Sequence, residues 1–389
     1  MEYALFYTHI INDNRNKVQD SILIIGSAGS VGHDMIYLIA AMNQPFKVIG
    51  ADINQEIGRY EIMEALHVAH NLNHFPQLSY ENLNLFDIKA TTEFLKTHKP
   101  AVICNLASLG SWWVRRKLSP EDYAKVGPSG PWIPNHLTLA MNLMEAVKRS
   151  GIETNVVNGA YPDATNVILC KLGYNPTCGG GNMDLGLSRV RRIVAATHKV
   201  PVNSVQIYGV GHHGAYYRAR MGGPFYTRII VDGEDVSTKW PNEKITKLYR
   251  EAGYGAVTQL HSNLVDQMRT ASSFLKHVLA IYNDTNVVHT CVTGVEGLPG
   301  GYPARLSRDG AEVVLPGITR EEAIQINIEG GKIDGIEEIK GDGTVVYCEE
   351  NVNYMREVLE YECTELKPRE SLERAKELER LLKKKTRTQ

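Results

Sequence analysis

Three polar residues stand where this chain could do chemistry: Asn158 at the end of an apolar run, Arg189 within a helical repeat, and His213 between glycines. Val156-Val157-Asn158 reads as a strand end, and Cys178-Gly179-Gly180-Gly181 as a glycine turn. Asp184 to Thr197 reads as the helix holding Arg189, and Ser204 to Val210 as the strand that delivers His213. An amide orients an oxygen, a guanidinium forks onto a carboxylate, and an imidazole changes charge near neutral pH and so moves a proton. Brought together, the three would polarise a carbonyl, hold a carboxylate and shuttle a proton. The paired histidines of Gly211-His212-His213-Gly214 point to a catalytic or ligand role more than a lone core histidine would.

The elements upstream give those residues a context. Ser21-Ile22-Leu23-Ile24-Ile25 is a continuous apolar run, the pattern of a strand buried on both faces. It runs into Gly26, Ser27, Ala28, Gly29, Ser30, Val31 and Gly32, after which Met35, Leu38, Ile39 and Met42 recur at helical spacing. Such a turn aims backbone N–H groups and the positive end of a helix dipole at a phosphate. The next strand, Phe46 to Gly50, ends at Ala51-Asp52-Ile53. An acid at this place suits adenosine ribose hydroxyls and repels a 2′-phosphate, which favours NAD over NADP. A third helix–strand unit follows, Ala90 to Lys96 and then Pro100 to Asn105-Leu106-Ala107-Ser108. The alternation predicts a Rossmann-type, doubly wound parallel sheet. From these elements the expected cofactor contacts are the glycine turn, Asp52 with its neighbour Ile53, and Ala107 after the third strand. Sugar-nucleotide epimerases share the pattern but need a Tyr with a Lys four residues on, and no tyrosine here has one.

Beyond that sheet, Leu109 to Pro134 holds Trp112, Trp113, Arg115, Arg116 and Trp132. It reads as a lid whose arginine meets a substrate anion on closing, or as a surface loop packed on another subunit. Asn135 to Ser150 has helical periodicity and stops at Gly151. Asp232-Gly233 marks a hairpin, Glu243 to Tyr282 is helical with a break near Gly253-Tyr254-Gly255, and Val287–Val295 and Ala311–Leu315 read as strands of a twisted antiparallel sheet. From Val352 the chain is helical and highly charged; a solvated helix is expected, with a partner subunit as its other destination. The organisation expected is an extension over 1–20, a nucleotide domain over 21–160, an α+β substrate domain over 161–350 and a charged helical extension over 351–389.

Composition sets the outer bounds. With 389 residues, 43% hydrophobic, 22% charged and a net charge of −2, the chain has core enough for two domains and no field to attract nucleic acid. No segment approaches the roughly 18 apolar residues that span a bilayer, and the first residues lack a signal-like n-region. Six cysteines without C-x-x-C spacing suit reduced thiols. A cytoplasmic enzyme with no nucleic-acid or membrane partner is expected.

At these residues the chain resembles the lactate/malate dehydrogenase superfamily, from about Ser21 to Tyr361. Gly26 to Gly32 is similar to the family's glycine turn, and Val48-Ile49-Gly50-Ala51-Asp52 to its second strand. Leu187-Ser188-Arg189-Val190-Arg191 is similar to the segment bearing its substrate arginine, Val210-Gly211-His212-His213-Gly214 to its catalytic histidine, and Gly301 to Gly310 to a late hairpin. The resemblance implies hydride transfer between a nicotinamide and a 2-hydroxy or 2-oxo carboxylate, in a homodimer or homotetramer. His213 would move the hydroxyl proton, Arg189 would fork onto the carboxylate, and Asn158 would orient the oxygen and the cofactor.

Departures are equally specific. The family's His-orienting Asp is replaced by Gly186, with Asp184 the nearby substitute. Its lid arginine falls at Pro120, leaving Arg115 or Arg116 to bind substrate. Two extra residues follow Asn158, in Gly159-Ala160-Tyr161-Pro162. These favour a bulkier or unusual acid. No metal is expected on this reading. An alternative of the same fold, the NAD- and metal-dependent family-four glycosidases, would use Cys178 with His213 or His212 as ligands. A non-catalytic cofactor-binding protein is the third reading, motivated by Gly186 and Pro120.

Overall fold

The computed structural model describes residues 21–218, 221–252 and 262–387. The lead-in Met1 to Asp20 and the break near Gly253-Tyr254-Gly255 lie outside the described residues. Five parallel strands open the fold: β1 (Ser21–Ile25), β2 (Lys47–Asp52), β3 (Gln77–Asn82), β4 (Val102–Asn105) and β5 (Asn155–Asn158). They lie in the order β3-β2-β1-β4-β5, the doubly wound Rossmann arrangement. Side chains alternate between the two faces of each strand. Leu23, Ile25, Ile49 and Ile103 therefore join one core with helices α3 (Ile88–His98) and α5 (Pro134–Ser150). Ile22, Ile24, Val48 and Val102 join another with α1 (Ser30–Ala40), α2 (Gln55–Asn71) and α9 (Ser262–Tyr282).

The second half is α+β. Strands β6 (Val205–Gly211), β7 (Phe225–Val231), β8 (Glu234–Asp235), β9 (Val287–Thr293), β10 (Gly301–Ser307) and β11 (Gly310–Val313) form an antiparallel sheet. The Asp232-Gly233 turn joins β7 to β8 with φ of 48° and 84°, both positive, the geometry that this pair is chosen for. Helices α6 (Pro162–Lys171), α7 (Met183–His198), α8 (Asn242–Glu251) and α10 (Arg320–Ile333) surround it, and β12 (Ile336–Ile339), β13 (Val345–Tyr347) and β14 (Glu365–Leu366) make a small third sheet. No helix among the described residues is long and apolar enough to cross a membrane.

Two segments differ from expectation. The stretch 109–134 contains a short helix α4 (Pro120–Val126), and residues 126–134 are buried. Trp132 packs in the first core and its indole N–H donates to the Val126 carbonyl at 2.8 Å. Half of the supposed lid is thus anchored, because its proline- and tryptophan-rich end fills core volume. At the other end of the chain, α11 (Glu349–Leu359) and α12 (Ser371–Arg387) also return to that core. Leu378, Leu381 and Leu382 are buried with α12 against α5, each contributing about 1.5–3 kcal/mol. The tail is a layer packed on that core instead of a solvated helix, since its leucines line one face.

Candidate active site

A cavity of about 570 Å³ runs from the glycine turn to His213. At one end the lining includes Gly26, Gly29, Ser30, Val31 and Gly32, with Asp52, Ile53 and Ala107 beside them. Gly26 has φ +85°, and a Cβ there would sit 2.9 Å from the Ala107 nitrogen. A Cβ on Gly32 would lie 2.2 Å from the Gly26 carbonyl oxygen, so the turn closes only with glycine at both places. Gly29 caps α1 without a side-chain hydrogen bond, which leaves first-turn N–H groups for an anion. Asp52 is tied by the Ala28 N–H at 3.1 Å and the Asn54 N–H at 2.8 Å, and both carboxylate oxygens retain lone pairs for hydroxyl donors. Ser27 and Ala28 stand outside the lining; the Ser27 side chain turns inward against Gly50, and Ala28 contributes its backbone to Asp52.

At the other end, β6 delivers the two histidines, and the fold separates their tasks. His212 is buried over Gly330, where a Cβ would come within 2.5 Å of its own, and its Nδ1 accepts from the Gly214 N–H at 3.1 Å. Burial lowers its basicity, and it serves as structure. His213 lines the cavity. Its backbone N–H donates to Asp163 at 2.9 Å, and its Nδ1 lies 2.5 Å from Oδ2 of Asp334. Asp334 is fully buried just beyond α10; its other oxygen accepts from the Ser129 N–H at 2.8 Å, and Oδ2 also accepts from the Tyr161 hydroxyl at 2.6 Å. Burial penalises both charges, yet their attraction and hydrogen bond outweigh it. His213 is raised above its ordinary value, with Asp163 helping and Arg115 opposing, and Asp334 is held well below the usual carboxylate range. The contact makes Nδ1 the donor to Asp334 and so orients the ring.

The other sequence-derived candidates distribute differently. Arg115 lines the cavity, is 5% exposed, donates to the Gly127 carbonyl at 3.1 Å and stacks over Trp132 at 5.1 Å. Arg116, one residue on, is exposed and outside the lining, so of the two it is Arg115 that the fold brings to His213. Arg189 also stands outside the lining; its Nη1 donates to the Tyr249 hydroxyl at 2.9 Å, and its guanidinium lies over that ring. Asn158 is buried with its amide turned into the protein, donating to Thr165 and Asn166 and accepting from Asn105. It braces the end of β5, and Gly159 to Pro162 reach the cavity in its place. Asp184 accepts from Lys276 at 2.7 Å and Ser273 at 2.6 Å. Burial alone would raise it, but Lys276 holds it below the ordinary carboxyl value, and it braces the loop before α7 instead of His213. Ser273 in turn receives the Gly181 N–H at 2.9 Å.

Cys178 is fully buried among apolar side chains, and burial pushes its thiol up to about 12. A neutral core thiol outside the cavity lining does not form the ligand pair that the glycosidase alternative asks of Cys178 and His213. Among the described residues no group of three His, Cys, Asp or Glu side chains is placed to hold a metal ion.

Both departures at Gly186 and Pro120 have physical causes. A Cβ at Gly186 would lie 2.7 Å from the Tyr216 ring and 3.0 Å from the Met221 sulfur. Tyr216 occupies the space an acidic side chain would need and lines the cavity itself. Pro120 is the first residue of α4, behind Ser119, whose hydroxyl caps the Asp122 N–H at 3.1 Å. Sequence reasoning missed Asp334, Tyr161, Asp163 and His136. Only Tyr161 had a signal, the two extra residues after Asn158. His136 lines the cavity beside Arg115, and burial with the Arg115 and His213 charges lowers it to about 3.

No protein-family model and no curated protein matches the chain. Solved structures do match. Malate dehydrogenase from Picrophilus torridus in its apo form is similar with a TM-score of 0.58 and 20% identity, over 82% of this chain and 96% of that one. Lactate dehydrogenase from Eimeria maxima with NADH and oxamate is similar with a TM-score of 0.59 and 16% identity, over 82% and 93%. Malate dehydrogenase from Aeropyrum pernix gives 0.57 and 17%, over 80% and 97%. At these identities the likeness is one of fold, the Rossmann-type α/β unit with its antiparallel second half.

Proposed function

We propose that this protein is an NAD-dependent oxidoreductase that moves a hydride between a nicotinamide and the reacting carbon of a 2-hydroxy or 2-oxo carboxylate. The observation that carries the reading is one cavity with the glycine turn and Asp52 at one end and the His213–Asp334 pair at the other. The residues fit the cofactor. Gly26 and Gly32 allow close backbone approach, the uncapped start of α1 faces a pyrophosphate, and Asp52 offers acceptors to a ribose. When bound, the nicotinamide supplies the hydride acceptor or donor. His213 takes the hydroxyl proton at Nε2 in oxidation and returns it in reduction, while Nδ1 stays on Asp334. Arg115 is the cation we assign to the substrate's anionic group, in preference to Arg116 and Arg189.

The fold likeness supports a dehydrogenase, and the lactate dehydrogenase neighbour was solved with NADH. A homodimer or homotetramer is part of the proposal: Ile57, Tyr60 and Met63 stand exposed at three-residue spacing along α2, a surface that a second copy would cover. A cytoplasmic setting suits six free thiols. The test is a fluorescence titration with NADH and NADPH, followed by turnover of a 2-oxo acid panel. NADH is expected to bind more tightly, and Asp52→Asn to weaken it about tenfold. Equal or tighter NADPH binding would remove Asp52 from its assigned place, and no turnover of any 2-oxo acid would remove the substrate class.

A further inference from the structure

Tyr161 reaches the site by its own route. It is the residue before α6, with φ 54° and ψ 59°, a left-handed backbone that a side chain other than glycine's rarely adopts. That conformation brings its hydroxyl within 2.6 Å of Oδ2 of Asp334, the same oxygen that His213 Nδ1 approaches at 2.5 Å. The Tyr161 and His213 rings meet edge to face, 5.6 Å apart at 80°.

We propose that Tyr161 is a positioning residue that shares the Asp334 oxygen with His213 and so loosens the hold of that carboxylate on the imidazolium. An oxygen accepting from two donors divides its charge between them, so removal of the phenol donor leaves more for the histidine. Burial and the charges of Asp334 and Asp163 raise the phenol well above its ordinary value, which keeps it a donor. The groups facing His213 come from several elements: Asp334 beyond α10, Asp163 on α6, Arg115 in the 112–117 turn, His212 beside it and His136 on α5. To these Tyr161 adds a neutral donor that touches the acceptor oxygen directly. The inference deepens the proposed function, because it concerns the proton carrier of that site, yet it is measurable without any substrate.

The experiment follows the His213 ring, isotope-labelled at Cε1 in the full chain, through a pH titration by NMR, with assignment by His213→Asn. Tyr161→Phe is expected to move its midpoint up by roughly 0.5–1 pH unit. Replacing Tyr161 with 3-fluorotyrosine, which keeps ring and hydroxyl but donates more strongly, is expected to move it down. The second replacement keeps the proposal refutable even where Tyr161→Phe fails to fold. An unmoved midpoint in the variants that fold, or movement of both in the same direction, overturns the sharing, because packing alone gives no opposite signs. Asp334→Asn is expected to move the midpoint down further than 3-fluorotyrosine. An unmoved His213 in that variant overturns both the sharing and the pair on which the proposed function rests, so the two failures separate.

Discussion

His213 and Asp334 lie 121 positions apart in the chain, and their Nδ1 and Oδ2 atoms are 2.5 Å apart around a carboxylate with no solvent exposure. The contact orients the imidazole and stabilises its charged form. Asp334→Asn keeps the volume and removes the charge. Turnover of an accepted acid is expected to fall roughly 10²–10⁴-fold while NADH binding is retained. Turnover within a few fold of the parent would take Asp334 out of the site.

The same pair sets a pH dependence of stability. His213 is raised, so its contribution is fully present below an unfolded value of about 6.5 and is lost as the pH rises through the folded value. Asp334 is depressed, so its contribution is present above an unfolded value of about 3.9 and is lost as the pH falls through the folded one. The two overlap between roughly pH 4 and 6.5. Denaturant unfolding of the parent and of Asp334→Asn is expected to differ most inside that window and less on either side. A difference that does not change with pH contradicts the charged pair.

Arg115 and Arg189, both expected to meet a carboxylate, stand in different surroundings. Arg115 lines the cavity, whereas Arg189 donates to Tyr249 outside its lining. Arg115→Lys keeps a cation but loses the planar fork, and KM for the acid is expected to rise about tenfold. Arg189→Lys is expected to change it by less than about twofold. Steady-state kinetics on both variants decides, and a larger effect at Arg189 would reverse the assignment.

Gly186 has no room for an acid. Its Cβ position lies 2.7 Å from Tyr216, so Gly186→Asp is expected to destabilise by about 1–3 kcal/mol and to lower turnover. Thermal melting checks this, and a variant that is stable and faster would mean that Tyr216 yields the space freely.

How much was legible follows from the range of the interactions. The glycine turn, the buried run of β1 and the acid ending β2 are local patterns, and they locate the parallel sheet and the glycine-turn end of the cavity without any long-range contact. His213 was legible for the same reason, as a histidine at a glycine-bracketed strand end. Asp334 was not, because Ile333-Asp334-Gly335 looks like any helix exit, and its meaning arises only where α10 packs beside β6. Asp184, expected to stand in for the His-orienting Asp replaced by Gly186, is held instead by Lys276, 92 positions away, a contact that no local pattern announces. The charge along α12 pointed to a solvated helix, and only the fold shows its leucine face covered by α5.

The most direct measurement is a crystal structure with NADH and an accepted 2-oxo acid or an inert analogue. The account predicts Nε2 of His213 within roughly 2.6–3.2 Å of the 2-oxo oxygen, with Asp334 still on Nδ1 and the dinucleotide along the glycine turn. An imidazole turned from the bound acid, or a dinucleotide seated outside this crevice, would contradict it.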